Sequence, residues 1–155
     1  MKKCATCGGR LSRTRKDEVH EVAGRRFVAT LPSRSCRACG TSFLDAPTIE
    51  RVELEVACEL AQHGPACGET FRYMRKALGM RAVALARLLG VTPETVSRWE
   101  NEQRPVDGAT WIALGSVVLE KARRAPSTLE RLRALQSPAP PVRPVRIVVA
   151  SPGRP

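Results

Sequence analysis

The sequence predicts an α+β chain: a small N-terminal β-hairpin module held by four cysteines, followed by an all-α domain. Three observations carry this. Two Cys-x-x-Cys-Gly runs, Cys4–Gly8 and Cys36–Gly40, bracket a segment with strand character. Helical character then runs through residues 68–135, punctuated by Gly79, Gly90, Pro105, Gly108 and Pro126. Residues 137–155 are Pro-rich and suit neither a helix nor a central strand.

The cysteine pairs are the strongest chemical signal. Two residues between thiols let one tight turn aim both sulfurs at one metal, and a trailing glycine permits the close backbone approach. Two such knuckles complete a Cys4 tetrahedron, the arrangement zinc prefers. Cys4, Cys7, Cys36 and Cys39 are therefore the expected ligands of a structural Zn2+. All four positions are taken by protein, which leaves none for a catalytic water. A redox pair or an iron–sulfur cluster are the alternatives, but a redox motif needs one pair only and suits a βαβ pattern. A segment this short has a thin core, so metal binding is expected to supply folding energy.

Between the knuckles, Val19–Val22 and Phe27–Leu31 read as strands, with Gly24 at the turn of a hairpin. Residues 47–62 open with Pro47 and read as a connecting helix, with Ile49, Val52, Leu54, Val56, Ala57 and Leu60 as its apolar positions. Gly64-Pro65 ends it. Cys58 and Cys67 lie outside the knuckles and read as ordinary thiols. His20 reads as a strand residue and His63 as a helix-end residue.

The expected organisation is a zinc-binding domain at 1–46, a connecting helix and linker at 47–66, a helical domain at 67–135 and a disordered tail at 136–155. On that reading, truncation after Gln136 leaves the core's melting temperature unchanged. Within the tail, Arg146–Ala150 is a short apolar patch able to dock on something.

The net charge is +11. A basic surface gains affinity for a polyanion by releasing counterions from phosphate, although it also serves plain solubility. No stretch approaches the roughly 18–20 apolar residues that span a membrane. Met1-Lys2-Lys3 leads straight into Cys4 with no apolar leader, so the expected location is the cytoplasm, where six cysteines favour metal ligands or free thiols over disulfides. No nucleophile–base pair stands in a recognisable context, and the chain is not expected to be an enzyme.

Residues 82–101 read AVALARLLGVTPETVSRWEN, the pattern of a helix-turn-helix. Two helices crossing steeply need a small residue at the crossing, which Ala86 provides, and a residue tolerant of positive φ at the turn, which Gly90 provides. Leu85, Leu89, Val91, Val96 and Trp99 supply the packing positions. Thr92 can cap the second helix and Pro93 suits its first turn. In this geometry the second helix enters the major groove of double-stranded DNA. Arg98 can bond a guanine edge with both ends of its fork, and Glu94 either accepts from cytosine or favours the positive end of the helix dipole. Thr95 and Ser97 are base or phosphate contacts, and Asn101 and Arg104 grip phosphates. Arg81 and Thr92 complete the candidate DNA-contacting set. Arg72, Arg75, Lys76, Arg81 and Arg87 give the region its basic faces. The segment Thr110–Leu119 is apolar nearly all round, which marks a core helix or a dimer seam.

With both modules placed, the chain resembles the YgiT-type zinc finger plus helix-turn-helix proteins, the group of MqsA-like antitoxins. The match rests on Cys4, Cys7, Cys36 and Cys39, then Leu85–Val91 and Val96–Asn101, and covers roughly residues 1–120. The resemblance implies a dimeric domain of the Xre/Cro type, repression of the protein's own operon at an operator, and a ribonuclease toxin bound by the zinc domain. It also implies that Glu94 and Arg98 read DNA. Two departures stand out: Arg81 and Ala82 replace the Thr or Ser and the Gln usual at the start of the first motif helix, and Glu94 is acidic where DNA is faced. The expected function is a sequence-specific DNA-binding repressor, and the resemblance implies the antitoxin of a toxin–antitoxin pair. The alternative is a zinc-dependent protein–protein adaptor that uses the helix-turn-helix only as a dimerisation scaffold.

Overall fold

The computed structural model describes residues 3–123 and 145–148. Two long strands, β1 (Leu11–Val22) and β2 (Arg25–Cys36), form an antiparallel hairpin in continuous register, from Leu11 opposite Cys36 to Val22 opposite Arg25. Ala23 and Gly24 join them with φ of 50° and 72°, both positive as a two-residue type I′ turn requires. The strands run further than the apolar signal at Val19–Val22 and Phe27–Leu31, because the knuckle end of the hairpin is polar. There, hydroxyls stitch the strands together: Thr14 Oγ1 lies 2.8 Å from Ser33 Oγ and 2.9 Å from Ser35 Oγ. Ser35 Oγ is in turn 2.8 Å from Ser42 Oγ on the short strand β3 (Ser42–Phe43), which pairs with Arg34 and Ser35.

Alternate residues of β2, Phe27, Ala29 and Leu31, turn inward and are buried. They pack against Val52, Val56 and Leu60 of α1 (Ala46–His63). Burying a side chain the size of Phe or Leu contributes about 1.5–3 kcal/mol, so this face is the main apolar support of the hairpin. The hairpin tip is fastened as well. Arg25 donates to the backbone carbonyl of His63, and its guanidinium sits 5.8 Å from the Phe27 ring centroid.

The other flank of α1 faces the helices that follow. Ala57, Cys58 and Ala61 join a second core with Phe71 and Met74 of α2 (Gly68–Ala77), Leu85 and Ala86 of α3 (Ala82–Leu89), Val96 and Trp99 of α4 (Pro93–Glu100) and Trp111, Ile112, Leu114, Val118 and Leu119 of α5 (Gly108–Lys121). Helix α1 is therefore a wall shared by two cores. Cys58 is fully buried within it. Phe71 and Trp99 meet edge to face at 5.8 Å, a favoured aromatic geometry. Six residues of α5 are buried, which makes it a core helix of this chain, while Ala113 and Val117 remain exposed. Among the described residues no helix is long and apolar enough to cross a membrane.

The expectation of disorder through the tail is corrected at one place. Val145–Val148 forms a strand, β4, that pairs in parallel with Phe27–Thr30 of β2. The physical reason lies in its composition: these four residues are free of proline and three are β-branched, within a segment otherwise broken by proline. The rest of the tail lies outside the described residues.

Candidate metal centre and nucleic-acid interface

The two knuckles are built bond for bond alike. Gly8 N–H donates to the Cys4 carbonyl, and Gly40 N–H donates to the Cys36 carbonyl, both at 2.9 Å. Cys4 N–H reaches the Gly9 carbonyl and Cys36 N–H the Thr41 carbonyl, again at 2.9 Å. Gly8 and Gly40 both have φ of 72°, a left-handed conformation in which a Cβ is unfavourable. The register of β1 and β2 then brings the loops face to face. Cys4 Sγ lies 3.6 Å from Cys39 Sγ, Cys7 Sγ lies 3.4 Å from Cys36 Sγ, and all four sulfurs fall within 4.8 Å of one another.

A tetrahedral zinc–thiolate site with bonds of about 2.3 Å sets its sulfurs about 3.8 Å apart, so the cluster is compatible with a zinc site. Cys4 and Cys36 are buried while Cys7 and Cys39 are exposed, and no disulfide joins them. Their acidities diverge. The Thr41 hydroxyl, 3.3 Å from Cys39 Sγ, and the Thr41 backbone hold the Cys39 thiol down at about 6. The Gly9 backbone draws Cys7 down, but the sulfurs of Cys36 and Cys39 outweigh it and push Cys7 up to about 12. For Cys4 burial acts upward, and hydrogen bonds from the backbone of Cys7 and Thr6 overcome it to lower the thiol. Four sulfurs this close cannot all carry charge unless a cation sits among them, which is the role zinc fills when bound. Gly9 also lines the cluster: a Cβ there would lie 3.0 Å from Cys36 Sγ and 3.2 Å from Cys7 Sγ. Thr41 and Gly9 were not singled out by the cysteine spacing, although both sit beside the knuckles in sequence.

In the helical part, Gly90 ends α3 with φ of 66°, and Val91 N–H bonds back to the Ala86 carbonyl at 3.0 Å. This turn sets α4 across α3, with Ala86 buried at the contact. Thr92 caps α4 by accepting from Thr95 N–H at 3.2 Å, and Pro93 occupies the first turn. Leu85, Val96 and Trp99 are buried, and Leu89 and Val91 are partly buried against them.

The exposed face of α4 carries Pro93, Glu94, Ser97 and Arg98, with Thr95 half-buried beside them. Thr92, Asn101 and Arg104 are exposed next to this face, and Arg81 is exposed at the start of α3 without capping it. Glu94 is held below the usual carboxylate range by its own backbone N–H first, then the Thr92 hydroxyl, with Arg98 adding to both. Asn101 is not free-standing: its Nδ2 donates to Ser97 Oγ at 3.2 Å, and Arg72 donates to its Oδ1. One expected surface cation is corrected. Arg75 is buried and ion-paired to Glu100, so it belongs to the interior and not to a basic face. Its partner lies on another helix, and the local pattern around Arg75 gives no sign of it.

No curated protein matches the chain. Residues 71–117, reaching from within α2 to within α5, match the helix-turn-helix family model. This part of the chain is similar to helix-turn-helix domains, and that likeness indicates DNA binding in transcription regulation.

Proposed function

We propose that the protein is a sequence-specific repressor that binds a near-palindromic operator as a homodimer in the cytoplasm, with Zn2+ on Cys4, Cys7, Cys36 and Cys39 as a folding cross-link. The observation that supports DNA reading is the division of α4. Val96, Trp99 and Glu100 are buried on one side, while Glu94, Ser97 and Arg98 are exposed on the other. A short helix anchored this way can enter the major groove. Arg98 then forks onto a guanine O6/N7 edge. Glu94 favours the positive N-terminus of the helix. Arg81, Thr92, Thr95, Ser97, Asn101 and Arg104 fix the register on phosphates or neighbouring base edges.

The exposed residues Ala109, Ala113 and Val117 lie along one side of α5 and offer a seam for the second protomer. Following the resemblance, the zinc module is the docking surface for a ribonuclease toxin, and the complex represses its own operon.

Selection of binding sites from random duplexes, followed by footprinting, tests this reading. The expected result is one enriched sequence protected as two half-sites about 34–36 Å apart. Failure to enrich any sequence, at low as well as moderate salt, rejects it. Co-purification with a ribonuclease encoded beside this gene tests the toxin partner, and metal analysis of the purified chain tests for one zinc per protomer.

A further inference from the structure

Strand β2 has two edges. One is covered along its whole length by β1. On the other, β3 pairs only with Arg34 and Ser35, and β4 pairs with Phe27–Thr30. The run Phe27-Val28-Ala29-Thr30-Leu31 holds no charge and no proline; Arg25 and Arg26 precede it and Pro32 follows. An apolar edge of that kind is a template for strand addition, and proteins block or cover it. Here the cover comes from the far end of the chain. β4 is only four residues long, parallel to β2 and joined to α5 through residues 122–144. No tight turn can join a parallel pair or fix its register. Main-chain pairing over so short a ladder is weak, so β4 can be released while the twelve-residue β1–β2 ladder stays intact.

We propose that the β2 edge from Phe27 to Thr30 is an acceptor site for an extended, β-branched segment of a partner protein, with residues 145–148 as its resident and displaceable occupant. The chemistry is β-augmentation: main-chain hydrogen bonds supply the affinity, and the alternation of side chains supplies the selectivity. The resident sequence Val145-Arg146-Ile147-Val148 defines the pattern the edge accepts, with Arg146 exposed. β4 also lies against α1, so the seat is bounded by the β2 edge on one side and that helix on another. A covalently joined strand rebinds at an effective concentration on the order of millimolar, so a foreign segment must overcome that advantage. This site is independent of the DNA-reading face of α4.

The test uses the full-length chain with Arg146→Pro and Ile147→Pro together. Adjacent prolines remove the N–H that faces β2 whichever of the two it is. The probe is a fluorescent peptide of residues 144–150, followed by anisotropy, with hydrogen exchange read at Phe27–Thr30. The peptide is expected to bind the variant at least about tenfold more tightly than the wild type and to restore the exchange protection the variant loses. Each single proline is a milder form, and one of the two is expected to reproduce the effect. A peptide that binds neither protein, binds both alike, or leaves exchange at Phe27–Thr30 unchanged overturns the proposal.

Discussion

Arg75 and Glu100 form a buried two-point ion pair that ties α2 to the last turn of α4. Arg75 Nε donates to Glu100 Oε1 at 2.5 Å and Nη2 donates to Oε2 at 3.0 Å. Arg75 Nη1 also donates to the Met80 carbonyl at 2.6 Å, and Arg72 Nε adds a weaker contact to Glu100 at 3.4 Å. Removing one partner strands the other charge in the interior, at a cost of about 3–5 kcal/mol, whereas replacing both by apolar groups is often neutral. Glu100→Ala is therefore expected to lower the unfolding free energy by about that amount. Arg75→Met with Glu100→Leu is expected to recover most of it, as measured by urea denaturation. A loss for Glu100→Ala below about 1 kcal/mol would show that α4 is held without this pair.

The sulfur cluster predicts a different failure. Cys36→Ser is expected to abolish zinc binding and unfold the hairpin while sparing the helical signal in circular dichroism, since α2–α5 share with one flank of α1 a core to which the hairpin does not contribute. Gly9→Ala is the sharper probe. It removes no ligand but pushes a methyl group to 3.0 Å from Cys36 Sγ. Competition with a chelator is expected to show weakened zinc affinity in Gly9→Ala with stoichiometry retained. Unchanged affinity would mean that the knuckles are looser than their backbone bonds imply.

At the start of α5, Asp107 accepts from Thr110 N–H at 2.9 Å and from Thr110 Oγ1 at 2.7 Å. The Thr110 hydroxyl, then its N–H, hold the Asp107 carboxyl below the usual carboxylate range. The folded state thus favours the charged form. The resulting stability is present above the unfolded carboxylate pKa and is lost as pH falls through the lowered folded value. Asp107→Ala is expected to cost about 1 kcal/mol at neutral pH, and Asp107→Asn much less, because Asn caps equally well. Thermal melts from neutral to acid pH check both. An Asp107→Asn variant that keeps the full acid sensitivity of the wild type would place that sensitivity elsewhere.

Pairing of β4 with β2 reverses the expectation for the tail. Truncation after Gln136 uncovers the edge from Phe27 to Thr30. The truncated chain is expected to melt several degrees lower than the full chain and to associate at high concentration, as exposed strand edges do. Calorimetry and light scattering measure the two effects. An unchanged melting temperature with no association would show that β4 contributes nothing to the fold.

Much of this architecture is local chemistry and can be read from the chain. Paired cysteines with trailing glycines, Gly90 between two short helices, and Thr92-Pro93 at a helix start each state their own conformation. What stays hidden is non-local or polar. Arg13–Asp17 carries no apolar alternation, so the long reach of β1 is invisible until its hydroxyls meet Ser33 and Ser35 across the hairpin. Arg75 looks like a surface cation because its counter-charge arrives from α4. The strand in the tail depends on an edge contributed by residues far away in sequence. The buried, paired role of α1 was half legible: the apolar positions Val52, Val56 and Leu60 were evident, but not that Ala57 and Ala61 serve a second core on the opposite flank.

The exposed position of Arg98 on an otherwise anchored helix carries the functional account, and one comparison tests it most directly. Binding of wild type and Arg98→Ala is measured on the selected duplex and on a random duplex at the same salt. The account predicts a loss of about 1–3 kcal/mol, roughly 5- to 150-fold, on the selected duplex and little change on the random one. An equal loss on both duplexes, or no loss on either, would contradict base reading by Arg98.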